Sequence, residues 1–411
     1  MRIDYKISDK FDFKIFIPVT ILVLIGLAAV YSSTLNNPAA VNNFQKQLFA
    51  TVVAYIAFFI TYALPTNSIK LISTPAYIVT IIFLFVVLII GRKISGAKSW
   101  LAFGPFGFQP SEFAKIATIL LLSNFLTRLN NNIDSFKDIL IALAIGFFPI
   151  GLILLEPDMG TSFIFISFIL IILFWKGISL LGLFVVLSPG LVAVSSLFGS
   201  VPFVVSLLIV LVALFFFKKD LFFSGSVFAI NLAAGFFTDN LYNALSPHQQ
   251  ARIKAFIDPM SDPLGTGYNS IQAMVAVGSG GIFGKGYLKG NQTQLQYIPE
   301  QWTDFIYCAI GEEFGFIGAI IVLSLFLILF LRLLNIASTT KDEFFSLVVI
   351  GILSVYFTHF LINVGMVIGI LPIIGVPLPF VSYGGSSMVV NMLMLGIVMN
   401  IFRTRKNYAL K

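Results

Sequence analysis

Long apolar runs, broken at short intervals by polar turns, dominate this chain. Runs near 13–33, 47–65, 72–91, 111–127, 138–155, 160–175, 179–199, 201–217, 222–240, 305–332, 344–370 and 386–402 are each long enough to cross a hydrocarbon core as a helix, which takes about 20 residues. Within them apolar residues follow one another without the every-second-residue alternation of outer-membrane barrel strands. The pattern predicts an all-α fold: a polytopic integral membrane helical bundle with ten core transmembrane helices. An extra pair is expected between about 200 and 240, where Lys218, Lys219 and Asp220 split one apolar run in two. Reading that run as a single span would move everything after it to the opposite side of the membrane. From Leu245 to Glu300 the chain turns polar, with two Asp-Pro pairs, Arg252, Lys254, Lys285, Lys289 and eight glycines. A structured stretch this long does more than join two helices. Residues 1–411 are therefore read as one membrane domain, with 246–300 as a large catalytic loop before the third-last helix.

Composition fixes the environment. The 411 residues are 58% hydrophobic and 10% charged, with mean hydropathy +0.99, against about 25% charged in soluble domains. Met1 to Phe11 is polar, and the first apolar run lacks the small-residue cleavage site of a signal peptide. Cys308 is the single cysteine, which excludes an intramolecular disulfide and a cysteine-based metal cluster. A net charge of +7 fits cytoplasmic loops and anionic membrane lipids, with no nucleic acid among the expected partners. With the N-terminus inside, Lys70, Arg128, Lys137, Lys176, Lys218, Lys219, Arg332, Lys341 and the basic C-terminus fall inside too. Arg92, Lys93, Lys98, Arg252, Lys254, Lys285 and Lys289 fall outside, against the bias, and each is expected to serve a local purpose. The 246–300 loop is then extracytoplasmic, away from cytosolic ATP and nucleotide sugars.

Four polar clusters share that outer side. In GAKSWLAFGPFGFQPSEFAKI, residues 96–116, the spacing predicts a structured turn and a cap at Ser111 on the next helix. Glu112 and Lys115 follow, three apart on one helical face. That pair is either a solvated surface contact or, at the entry to a span, a functional one. LLEPDMGTS, residues 154–162, carries Glu156 and Asp158, which are either loop charges or site residues. The third cluster is the long loop. The fourth, LPIIGVPLPFVSYGGSSMVVN at 371–391, is either an ordinary Pro/Gly turn or a broken segment lining a cavity, with backbone N–H groups free for an anion.

Several chemistries drop out. GSGGIFGKG lacks the strand–loop–helix context and the Lys-Ser/Thr pair of a nucleotide P-loop. His248 and His359 have no ligand spacing, so no protein metal site is expected, and His359 reads as a buried helical residue. What remains is carboxylates able to act as a general base and cations able to steady a phosphate-rich leaving group. At an outer interface these suit a substrate with a lipid tail and a pyrophosphate head.

Five blocks in order, GAKSWLAFGPFGFQPSEFAKI, EPDMGTS, RIKAFIDPMSDPLGTGY, GSGGIFGKGYLKGNQTQLQYIPEQWTDFIYCAIGEEFGFIG and LPIIGVPLPFVSYGGSSM, cover most of the chain. In them it resembles the SEDS proteins (shape, elongation, division and sporulation). Asp258 and GKGYLKGNQTQL are similar to the elongation branch of that family rather than the division branch. The resemblance implies a peptidoglycan glycosyltransferase that polymerises lipid II into glycan strands during cell elongation, beside a class B penicillin-binding protein. It implies a cytoplasmic-membrane location with both termini inside and the active site on the outer face.

The family's essential aspartate maps onto Asp262 in DPLGTGY, as general base, with Asp258 as second choice. Glu112 and Lys115 match its conserved pair and are carried over as catalytic. Trp100, Gln109, Arg252, Lys285, Ser382, Gly384, Gly385 and Ser386 are expected to bind substrate. No cofactor is required by the motifs; a divalent cation, Mg2+ or Mn2+, is the one candidate. Asn269 stands where the family usually has Gln, Trp302 where elongation members often carry His, and the extra pair departs from its ten spans. The competing class is a lipid II flippase or transporter, which would need a polar path through the bilayer.

Overall fold

The computed structural model describes all residues except 1–9, 95–96, 104–105, 129–135, 218–219, 246, 259, 261–264, 266 and 406–411. Each of the twelve apolar runs is helical: α1 (Phe13–Thr34), α2 (Asn43–Ala63), α3 (Thr66–Ile90), α4 (Pro110–Arg128), α5 (Phe136–Leu155), α6 (Met159–Lys176), α7 (Leu180–Ser196), α8 (Ser200–Phe217), α9 (Leu221–Phe236), α14 (Ile306–Thr339), α15 (Glu343–Val367) and α16 (Gly385–Thr404). A short helix α10 (Thr238–Ala244) follows α9, and the polar stretch before α14 carries three helices, α11 (Pro247–Ile257), α12 (Tyr268–Ser279) and α13 (Asn291–Gln294). The chain divides into two compact units, one of Met1–Trp175 with Asn269–Lys411 and the other of Lys176–Tyr268.

In the first unit α4 lies inside the bundle, packed on α3, α5 and α15. That position explains its composition. Ser111, Glu112, Lys115, Thr118, Ser123 and Asn124 are all buried, and lipid-exposed positions in a span could not hold such a row. Helices α2 and α16 run in close contact, because a side chain at Gly396 would meet Thr61 Oγ1 at 1.9 Å. One turn on, Asn400 donates to the carbonyls of Thr61, Tyr62 and Leu64 and accepts from Thr66 Oγ1, tying off the turn between α2 and α3. Small residues and interhelical amide bonds are the expected adhesives where lipid removes the hydrophobic drive.

Between α3 and α4 the chain forms a three-stranded antiparallel sheet, β1 (Arg92–Ile94), β2 (Ala97–Phe103) and β3 (Phe106–Phe108), in the order β1-β2-β3. The sequence predicted only a turn here. Lys98, one of the cations expected on the outer side, donates to the carbonyls of Leu88 and Ile89 at 2.8 Å and closes the C-terminus of α3. The expected cap at Ser111 is corrected. Helix α4 opens at Pro110, a residue suited to the first turn because it needs no N–H partner there. Ser111 Oγ is therefore inside the helix, buried and without a partner among the described residues.

In the second unit, α7, α8 and α9 pack around Val192, Val210, Leu214 and Val227, with Phe184, Phe203 and Phe223 at the margin. Asn231 of α9 donates to Ser188 Oγ of α7 at 3.0 Å, and Ser195 of α7 to Ser206 of α8 at 2.7 Å. The expected extra pair is thus α8 and α9, held to α7 by apolar packing and by hydrogen bonds between spans.

Candidate active site

Lys115 of α4 is a buried cation in the first unit. Its side chain has 0% exposure, and its ammonium donates to Glu112 Oε1 at 2.9 Å, one helical turn back. A second contact comes from α15, where His359 Nε2 lies 3.0 Å from Lys115 Nζ. The far nitrogen of that ring, Nδ1, lies 3.0 Å from the Pro377 carbonyl oxygen. A carbonyl can only accept, so Nδ1 carries the hydrogen, and Nε2 presents its lone pair to the ammonium. Two of three ammonium N–H groups are then used, and the third has no partner among the described residues. Glu112 Oε2 is likewise buried without one. The site keeps one spare donor and one spare acceptor in a water-poor interior, where such groups are expensive to leave unmet.

Three of the four clusters meet here. Gln109, just before α4, donates to Asp158 Oδ2 at 3.2 Å, and Asp158 caps α6 through Thr161 N (3.0 Å) and Thr161 Oγ1 (2.8 Å). Lys98 N donates to the Glu156 carbonyl at 3.2 Å. The 371–384 segment is held from several sides. Ser382 Oγ accepts from Leu378 N and donates to the Thr303 carbonyl, Tyr383 N donates to the Trp302 carbonyl, and Gln47 bonds Gly384 N and the Ser382 carbonyl. Gly26 lets α1 close on this segment, since a Cβ there would lie 2.5 Å from the Val381 carbonyl oxygen. Gly385 opens α16, and Ser386 Oγ is buried without a partner among the described residues. Trp100 lies on β2 with its ring over Gly107 of β3, where a Cβ would meet it at 2.8 Å.

Glu156 sits in the turn between α5 and α6, fully buried, and neither carboxylate oxygen has a partner among the described residues. Burial, with the Asp158 charge adding to it, pushes its carboxyl up to about 8. The shift favours the neutral form, which offers an O–H donor as well as an acceptor.

The glycine-rich GSGGIFGKG segment, read as no P-loop, has another purpose. Helix α14 breaks at Gly315 (φ 66, ψ −162). There Phe316 N and Ile317 N donate to the carbonyls of Gly281 and Ile282, while the Glu312 and Glu313 carbonyls accept from Lys285 N and Gly286 N. The segment is spliced into the helix, replacing the bonds the break removes. Gly280 and Gly284 must lack side chains for this, because a Cβ would come within 2.0 Å of the Gly311 carbonyl oxygen and 2.1 Å of that of Glu313. Lys285 pairs with Glu312 at 2.8 Å, and Glu312 also accepts from Gln292 N, Thr293 N and Thr293 Oγ1. Glu313 accepts from Ser32 Oγ and Gln294 Nε2.

Of the other expected site residues, Arg252 lies on α11 in the second unit, and Asp258 follows that helix, exposed and accepting from Met260 N at 3.1 Å. Asp262 lies outside the described residues, with Pro263. Among the described residues no three His, Cys, Asp or Glu side chains come together as a metal site. The sequence reading did not single out Glu312, Glu313 or the link from His359 to Lys115. Two adjacent carboxylates inside an apolar run were a usable signal.

A polytopic helical membrane protein with a buried, partly unsatisfied charge cluster is the class that this fold and site define. The chain belongs to the FtsW/RodA/SpoVE family, described as "Cell cycle protein", whose pattern matches residues 12–206 and 180–407. The two matches overlap across α7 and the start of α8, the first helix of the extra pair. It is 33% identical to the peptidoglycan glycosyltransferase RodA of Treponema pallidum, covering 96% of this chain and 98% of that one. With the peptidoglycan glycosyltransferase MrdB of Escherichia coli K12 it shares 38% identity over 80% of this chain and 77% of the other. Among solved structures, a chain of a peptidoglycan synthase complex described as coordinating polymerization and crosslinking superposes with a TM-score of 0.72 at 24% identity, covering 96% of this chain and 98% of that one. The rod shape determining protein RodA of Thermus thermophilus gives 0.64 at 22%, covering 96% and 97%. Both likenesses are of fold.

Proposed function

We propose that this chain is a peptidoglycan glycosyltransferase of the cytoplasmic membrane that polymerises lipid II during cell-wall elongation. Full-length relatives carrying that activity in their names support the reading. The observation in the structure that supports it best is Lys115, a buried cation with a spare N–H beside a spare carboxylate oxygen on Glu112. Such a donor suits the pyrophosphate oxygens on which charge develops as the lipid carrier departs, and a fixed donor in a dry site is worth most there.

In this reaction Asp262 takes the proton from the 4-hydroxyl of the acceptor GlcNAc. The freed oxygen attacks the anomeric carbon of the donor MurNAc, with inversion, and undecaprenyl pyrophosphate leaves. Lys115 steadies the leaving charge. A positioned base contributes about 10²–10⁴-fold. The reaction belongs on the outer face, with both termini inside, and a class B penicillin-binding protein cross-links the product.

A flippase is the second reading, favoured by the neutral polar row Thr118, Ser123 and Asn124 further along α4. The charges on α4's buried face, however, are confined to its first two turns, which favours the polymerase. The purified protein with its transpeptidase partner is expected to convert fluorescent lipid II into a ladder of glycan strands. Transfer of lipid II between leaflets with no strands formed would instead support the flippase.

A further inference from the structure

Glu112 holds one N–H of Lys115 from the same helix, and a single such bond leaves the long lysine side chain free to shift around it. The second point, which fixes the ammonium, comes from His359, 244 residues away in sequence. The ring is buried and cannot swing, because Nδ1 is held by the Pro377 carbonyl. That carbonyl belongs to a segment bonded to Thr303, Trp302 and Gln47, and through Asn363 Nδ2 to the carbonyls of Val376 and Asp304. A chain of defined contacts thus runs from the 371–384 segment through His359 to the ammonium. The imidazole is well suited to this. In its Nδ1–H form it donates at one end and accepts at the other, and the acceptor faces the cation.

We propose that His359 is a positioning residue for glycan polymerisation: by accepting from Lys115 and donating to Pro377, it fixes the direction of the remaining Lys115 N–H toward the pyrophosphate. This rests on the polymerase reading above. Removing the ring nitrogens leaves the charge in place and unaims it. The loss belongs in the step where pyrophosphate charge develops, more than in ground-state binding of lipid II.

The test uses the full chain with its transpeptidase partner, as wild type, His359→Gln and His359→Phe, with lipid II turnover and thermal unfolding measured for each. His359→Phe keeps a ring of similar size and has neither nitrogen. Its kcat is expected to fall about 10²-fold, the size of effect that a misplacement of about 1 Å produces, with KM little changed. His359→Gln can accept through Oε1 and donate through Nε2, and is expected to recover most of the lost kcat even if its unfolding temperature drops as far as that of the Phe variant. Wild-type turnover in His359→Phe overturns the proposal. So does an equal fall in both variants that follows their unfolding temperatures, which makes His359 a packing residue. Absence of glycan product from all three proteins alike overturns the polymerase reading and this proposal with it.

Discussion

Neutral carboxyls inside a membrane protein register pH differently from paired ones, and Glu156 is of that kind. Burial pushes its carboxyl from the ordinary carboxylate range up to about 8. The folded state therefore holds a proton that the unfolded chain gives up from about pH 4.5. Its stabilising contribution is fully present below that pH and is lost as pH rises through about 8. Melting in detergent should fall across this window for wild type, and the fall should be shallower in Glu156→Gln. Parallel curves would mean that Glu156 ionises normally and has water or a partner. Legibility at this scale followed sequence distance. Spacing alone put Glu112 and Lys115 on one face, and the structure pairs them. His359, on another helix, gave only its helical pattern, and its contact with Lys115 was beyond reach. Lys285 was read as a substrate contact, and its ammonium is paired with Glu312.

Helix α14 draws its shape from a segment outside itself. Its break at Gly315 would strand backbone groups in a low-dielectric setting, and the spliced 281–286 segment meets them. Gly284→Ala adds a methyl 2.1 Å from the Glu313 carbonyl oxygen and demands a positive φ of a residue that resists it. It should destabilise by about 1–3 kcal/mol, as overpacking does, and loosen the loop to protease. Gly278→Ala, in α12 with nothing within 4 Å, should be neutral or stabilise by up to about 1 kcal/mol. Equal behaviour of the two variants in unfolding experiments would dissolve the splice. The twelve apolar helices were legible because an apolar run of helical length has few alternatives in lipid, and among the described residues eight of them are long and apolar enough to cross a membrane. The sheet was missed because β1 and β3 have only three residues each, too short for a period-two pattern to stand out. The helices within the 245–300 stretch were missed because Gly, Pro and Asp punctuate it so densely that no periodic run announces them.

For the whole molecule, the sequence carried both the polytopic α-helical architecture and the family, through motifs spread over the full length. Within the second unit, α8 and α9, the pair expected beyond ten core helices, bury Val210, Leu214 and Val227 against α7. The proposed polymerisation chemistry turns on a carboxylate base at Asp262. The most direct measurement compares wild type with Asp262→Asn, each bound to the transpeptidase partner, for glycan strands formed from lipid II. Strands are expected from wild type and at least about a 10²-fold loss in the variant, with partner binding and unfolding temperature unchanged. Equal strand formation by both would contradict this expectation, remove Asp262 as the base and move that role to Asp258.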